Sequence, residues 1–212
     1  MKISLWDWNG TLVTKDDFLR WLQETHSDVY EAYWIRGKTD SAAKSAAKPE
    51  VVRLFEYASA NDLYQVELIP NARERLLQEH RQGRECAVFT SIPKATLQSQ
   101  VVKLRLTAEI DHAFSLDAVM ERFNLPPQTT KEDPHTYQLL ARYLQEQGVR
   151  EISMYTDDGL PRIQAAAFAN IELKPGVDLH FGSLYHFDPG AKLQLQQKEG
   201  YRVINNLMTV DL

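Results

Sequence analysis

The chain begins with an apolar run, Ile3-Ser4-Leu5-Trp6, that Asn9-Gly10 closes with turn chemistry. This pattern predicts a buried strand with Asp7 at its carboxyl end. Gly10 lets the backbone fold close to a ligand there. After Leu12 the apolar period lengthens to that of helices. Phe18, Trp21 and Leu22 share one face behind Asp16-Asp17, which suit a helix amino terminus. Val29, Tyr30, Tyr33 and Trp34 form a second set, closed by Gly37. The Ala-, Ser- and Lys-rich stretch Thr39 to Lys48 reads as an exposed helix or a mobile loop. Pro49 is expected to open a third helix on Val51, Val52, Leu54, Phe55 and Ala58. Residues 15–66 thus read as an all-helical insert, and 1–14 with 67–212 as the body it interrupts.

From Ile69 onward helix and strand alternate. Asn71 with Glu74 marks a helix start and Gly83 its stop, ahead of the strand Cys86-Ala87-Val88-Phe89, which ends in Thr90-Ser91. A helix through Leu97, Val101 and Leu104 leads to a short strand near Ala113-Phe114, and Asp117 starts another short helix. The loop Leu125 to Thr130 delivers Lys131 to the start of a helix that Gly148 ends. Ile152 to Tyr155 is the next strand, finishing in Thr156-Asp157-Asp158. A helix from Ile163 to Ala169 and a strand Ile171-Glu172-Leu173 close the pattern. Such alternation predicts an α/β fold with a doubly wound parallel sheet. The tail from Pro175 to Leu212, with Leu193, Leu195, Val203, Ile204 and Leu207, fits either one more helix or a hairpin on the sheet edge.

Composition narrows the function classes. Lysine and arginine total 24 against 29 acids, a net charge of −5 with the signs interspersed. This balance argues against a general nucleic-acid or membrane-surface binder. Cys86 is the only cysteine, which excludes an intrachain disulfide and a thiol metal cluster, and its apolar neighbours make it a strand residue. No cleavable signal pattern and no run of membrane-spanning length occurs, so a cytoplasmic setting is expected; a monomer or homodimer is the expected assembly.

Three strand ends carry polar residues where an open sheet presents its ligands: Asp7, Thr90 and the Asp157-Asp158 pair. Lys131 joins them from a loop. The hexapeptide Asp7-Trp8-Asn9-Gly10-Thr11-Leu12 resembles the signature D-x-D-G-T-L of haloacid dehalogenase-like (HAD) hydrolases, in the form seen in their phosphoglycolate-phosphatase-like branch. Lys131 to Tyr137 is similar to that family's K-P-x-P-x-x-Y stretch. Thr156-Asp157-Asp158, followed by Ile163, Ala165, Ala166, Ala167 and Asn170, resembles its acidic motif. The resemblance covers 1–14 and 67–174, and the insert matches the family's helical cap in position, though it is shorter than the usual four-helix version.

The resemblance implies a HAD-like Rossmannoid core and an Mg²⁺-dependent phosphatase of a small phosphorylated metabolite. Asp7 would attack phosphorus and form an aspartyl-phosphate. Asp7, the Asn9 carbonyl, and Asp157 or Asp158 would hold Mg²⁺ through oxygen. Thr90, Ser91 and Lys131 would bind the phosphoryl oxygens, with backbone N–H groups at Gly10 and Thr11 completing an anion nest. Trp21, Tyr33 and Trp34 of the cap are either substrate platforms or core.

Two departures bear on this expectation. Asn9 stands where the family's phosphatases carry the acid/base Asp, and an amide cannot shuttle a proton. Arg162 stands where many relatives carry another acid. Arg162 bears on the outer shell of the metal, and two alternatives follow from Asn9: a haloacid dehalogenase-type hydrolase, whose halide leaves without an acid, and a catalytically silent HAD-fold binding protein.

Overall fold

Strand β1 (Lys2–Trp6) lies inside a sheet, with a strand on either side, because both of its faces are apolar: Ile3 and Leu5 point to one side, Trp6 to the other, all fully buried. The computed structural model describes residues 1–127, 129–171, 177–191 and 195–209. Beside β1 lie β2 (Glu85–Thr90) and β4 (Glu151–Asp157), both parallel to it. The sheet continues through β3 (His112–Ser115) on one edge and β5 (Phe181–Phe187) towards the other. There β7 (Tyr201–Ile204) pairs parallel with β5, and β6 (Leu195–Lys198) runs antiparallel to β7. The order is β3-β2-β1-β4-β5-β7-β6.

Helices cover both faces, as a parallel sheet requires. Ile3, Leu5, Phe89 and Tyr155 pack under α6 (Leu116–Phe123), α7 (Pro134–Glu146) and α8 (Leu160–Ile171). Trp6, Trp8, Val88 and Met154 pack under α4 (Ala72–Arg81) and α5 (Lys94–Lys103). That second core runs on without a break into the insert, through Phe18 and Leu22 of α1 (Asp16–Thr25) and Leu54, Phe55 and Ala58 of α3 (Ser41–Ala60). A buried hydrogen bond from Trp8 Nε1 to Gln100 Oε1 (2.6 Å), and one from Gln100 Nε2 to Tyr64 Oη (2.9 Å), tie the layers at the end of the insert. Among the described residues, no helix is long and apolar enough to cross a membrane.

The expected α/β alternation holds from β1 to α8. Pro49 does not open a helix; it lies inside α3, which begins at Ser41. The side chain of Asp40 accepts from Ala42 N and Ala43 N, so the helix is capped nine residues before the proline, and its alanines favour continuation. Asn71 does start a helix, but with φ +68° and no side-chain cap bond, so the Asn71–Glu74 pairing plays no capping part. Val29 to Trp34 is less regular than its spacing suggests: α2 (Ser27–Tyr30) runs into a π turn, Glu31–Ile35, and a 3-10 turn, Arg36–Lys38. Ile171 ends α8 instead of opening a strand, while Glu172 and Leu173 lie outside the described residues. The tail resolves as strand β5 plus the edge hairpin β6–β7; Leu193 also lies outside the described residues.

Candidate active site

Asp7 follows directly on β1, its N–H bonded to Thr156 O (2.8 Å) on the neighbouring strand end, so Asp7 and Asp157 emerge side by side. Both are buried, Asp7 at 3% exposure and Asp157 at 0%. Lys131, placed by the turn before α7, sends its ammonium between them: Nζ is 2.6 Å from Asp7 Oδ1, 2.9 Å from Asp157 Oδ2 and 3.0 Å from Phe89 O. The faces of Phe89 and Tyr155 flank the same cation. Tyr155 also donates its hydroxyl to Asp157 Oδ2, and Tyr137 contacts Tyr155 at 3.0 Å. Burial, reinforced by the Asp157 charge, pushes both phenols well above their ordinary range, which keeps Tyr155 a donor.

Arg162 closes the other side. It is the third residue of α8, and its Nη1 is 3.0 Å from Asp157 Oδ1 and 3.5 Å from both Asp7 Oδ2 and Asp158 Oδ1. Gly159 leaves room for its stem, since a Cβ there would lie 2.9 Å from Arg162 Cδ. Lys15 pairs with the remaining oxygen of Asp158.

The environment divides the two central carboxyls. Burial, with the charge of Asp157 beside it, pushes Asp7 up to about 6, although Lys131 and Arg162 pull the other way. Burial opposes ionisation of Asp157 too, but Lys131, Arg162 and the Tyr155 hydroxyl outweigh it and hold that carboxyl at about 2. Asp157 is therefore a fixed anion and Asp7 the group that titrates near neutrality.

Asp7 opens onto a cavity of about 440 Å³ between sheet and insert. Asn9, Thr90, Ser91 and Arg162 line its floor, and Lys15, Lys38, Lys44 and Lys48 contribute cations. Tyr33, Trp34, Phe18 and Phe55 form an aromatic wall. Tyr33 and Trp34 thus serve both as packing and as lining, whereas Trp21 stacks on Phe18. An ion pair of Lys44 with Glu132 (3.4 Å) fastens the insert to the loop carrying Lys131.

Asp7, Asn9, Thr90, Ser91, Lys131, Asp157 and Asp158 all lie at this end of the sheet, but three details differ from the expectation. The anion nest expected at Gly10 and Thr11 is not offered: Gly10 N–H donates to Val13 O (2.7 Å) and Thr11 N–H to Trp8 O (3.4 Å). The Thr11 side chain is buried with its hydroxyl unpaired, and Gly10 instead fits against Asp158, where a Cβ would stand 2.1 Å from Oδ2. Lys131 is 2% exposed in its side chain, so it meets the cavity through Asp7 and not directly. Lys15, Lys44 and Lys48 were not singled out; the last two share a helix face with Val51, Val52 and Phe55, a spacing that carried the signal.

Asp7, Asp157 and Asp158 offer carboxylate oxygens within 4.8 Å of one another, a donor set of the kind a hard divalent cation takes. The space between those oxygens holds Arg162 Nη1. As arranged, the cluster does not fit Mg²⁺.

No family model and no curated protein matches the sequence. Solved structures do match. L-2-haloacid dehalogenase from Xanthobacter autotrophicus aligns with a TM-score of 0.58 at 16% identity, covering 91% of this chain and 79% of that one. A haloacid dehalogenase-like family hydrolase from Streptococcus pneumoniae aligns at 0.59 and 15%, covering 99% and 95%. A predicted phosphoglycolate phosphatase from Haemophilus somnus aligns at 0.54 and 14%, covering 88% and 85%. Identities this low speak to architecture, and the architecture agrees with what the motifs imply: the chain has the fold of the haloacid dehalogenase-like hydrolases.

Proposed function

We propose that the protein is a hydrolase of phosphate monoesters whose alcohol part is apolar or aromatic, with Asp7 as covalent nucleophile. The observation that carries this reading is Asp7 itself, a buried carboxyl at a strand end, facing a cavity rimmed by lysines and walled by aromatic rings. The cations suit a dianionic head, and the rings suit a hydrophobic body.

An oxygen of Asp7 attacks phosphorus as the bond to the leaving oxygen breaks. The alcohol oxygen departs as an anion and takes a proton from solvent; water then attacks the aspartyl-phosphate at phosphorus, the bond to the Asp7 oxygen breaks, both water protons leave with the phosphate as dihydrogen phosphate, and the carboxylate returns. Arg162 and the Thr90 hydroxyl lie on the cavity floor to meet charge on the transferring group. Asn9 can hydrogen-bond the leaving oxygen but cannot protonate it, so substrates with stable leaving anions are favoured. No step passes through Mg²⁺, because Arg162 fills the space between the donors that the motif resemblance assigns to the metal.

Phosphate release across a panel of aryl and alkyl phosphates tests the reading, beside Asp7→Asn. Turnover in the wild type, lost in the variant, with an added phosphoryl mass on Asp7 after a rapid quench, is the expected result. Undiminished activity in Asp7→Asn removes the covalent mechanism.

A second reading has its own support. Asn9, together with a guanidinium among the carboxylates, suits displacement of halide by Asp7, which needs neither an acid nor a metal. Halide release from 2-haloacids without phosphate release selects it. A folded protein inactive in both assays, yet binding phosphate, selects the silent binding protein.

A further inference from the structure

We propose that Arg162 is the resident cation of the carboxylate cluster, occupying the place of a divalent metal ion and making the site metal-independent. The inference deepens the reading of Asp7 as a nucleophile and rests on it only for its catalytic meaning.

The pairing pattern is complete. Asp7 gives Oδ1 to Lys131 and Oδ2 to Arg162. Asp157 gives Oδ2 to Lys131 and Oδ1 to Arg162. Asp158 gives Oδ1 to Arg162 and Oδ2 to Lys15. Every oxygen of the three carboxylates therefore has a cationic partner, and three anions are matched by three cations. Arg162 alone touches all three acids, as a bridging metal would. Oxygens bind Mg²⁺ at about 2.0–2.1 Å, so the ion and Nη1 cannot share the centre. Arginine does not lose its proton, so its charge is permanent.

Two further features fit a built arrangement. Gly159 is the residue against which the Arg162 stem folds, and any side chain there would meet Cδ and Nε at 2.9 Å. Asn9 contributes no charge, whereas an Asp at that position would leave the cluster with one unmatched anion. The guanidinium is also partly open, 30% exposed in its side chain and part of the cavity lining, so it faces the carboxylates and an incoming anion together.

The test needs no substrate, which separates it from the hydrolase assays. Mg²⁺ alone is titrated calorimetrically into the wild type, Arg162→Ala and Arg162→Lys, each checked for its fold by circular dichroism. The expected result is no saturable binding in the wild type or Arg162→Lys up to millimolar ion. In Arg162→Ala, saturable binding is expected that is lost again on adding Asp157→Asn. Saturable binding by the wild type overturns the proposal, and that measurement stands even if Arg162→Ala does not fold. A folded Arg162→Ala that stays silent also overturns it, since Arg162 is then not what holds the metal's place. Where turnover is found, it should persist in excess chelator; its loss there, with recovery on adding Mg²⁺, counts against the proposal.

Discussion

Lys131 and Asp7 lie 124 positions apart in the chain, yet their side chains meet at 2.6 Å, both almost wholly removed from solvent. A buried cation between two carboxylates is costly to remove, because each acid then loses a partner it cannot replace with water. Lys131→Met is expected to lower stability by about 3–5 kcal/mol in denaturant unfolding. Because Lys131 also pulls the Asp7 pKa down, its loss should move the acid limb of kcat/KM to higher pH. An unchanged pH profile and unchanged stability would mark Lys131 as idle.

As the proposed nucleophile, Asp7 must react as a carboxylate, and burial beside Asp157 pushes its pKa up to about 6. Activity should therefore fall as pH drops through about 6, close to tenfold per unit below it, and the limb in kcat/KM reports this group. Stability moves in the opposite direction. The folded pKa of Asp7 lies above its unfolded value of 3.8, so the native state binds the proton more tightly and gains stability as pH falls from about 6 towards 3.8. Asp157 behaves oppositely: its pKa of about 2 contributes stability above 3.8 that is lost as pH falls towards 2. These two groups together favour a thermal midpoint that peaks between those windows. In Asp7→Asn the gain below pH 6 should disappear; its retention would mean that another group produces it.

Much of this site could be read along the chain because its parts are local signals: a strand end, a turn, an acid pair, a lysine before a helix. Asp7, Thr90 and Asp157 follow from the strand pattern, since parallel strands put their carboxyl ends at one edge of the sheet. The centre of the cluster was not legible. Whether Arg162 points outward or back across Asp157 depends on how α8 sets off from Gly159, a tertiary fact with no periodicity of its own. Pro49 misled for a related reason, as proline is favoured in a first helical turn, but a capping Asp40 with an alanine run had already started α3. The edge hairpin was ambiguous because β6 and β7 are only four residues each, too short for a period to declare itself.

Gly10 holds two constraints at once. Its φ of +90° is unfavourable for any L side chain, and a Cβ would stand 2.1 Å from Asp158 Oδ2. Gly10→Ala should cost about 1–3 kcal/mol for the backbone alone, and more because Asp158 must move off Lys15 and Arg162. Gly148→Ala is the control: φ is +84°, with no atom within 4 Å of the added carbon. A larger loss at Gly10, accompanied by loss of turnover, isolates the contact with Asp158. Equal losses in the two variants would reduce the constraint to backbone strain.

If Asp7 takes up the phosphoryl group as proposed, Asn9 decides which leaving groups can be expelled. With an amide there, the phosphoryl transfer to Asp7 depends on the intrinsic stability of the departing anion, so aryl phosphates should react much faster than alkyl phosphates of similar size. Asn9→Asp returns an acid to the cavity floor, and alkyl substrates should gain about 10²-fold in kcat while aryl substrates change little. The new carboxylate also adds a fourth anion beside three that Lys131, Arg162 and Lys15 already balance, so the variant should bind phosphate more weakly than the wild type. kcat and KM must therefore be separated, since a weaker KM can mask a faster chemical step. A selective gain on alkyl phosphates, read in single-turnover kinetics, identifies the missing proton as the limit on the wild-type enzyme. A uniform loss on both classes assigns Asn9 a positive part instead, with its amide holding the attacking water or the phosphoryl group in line with Asp7.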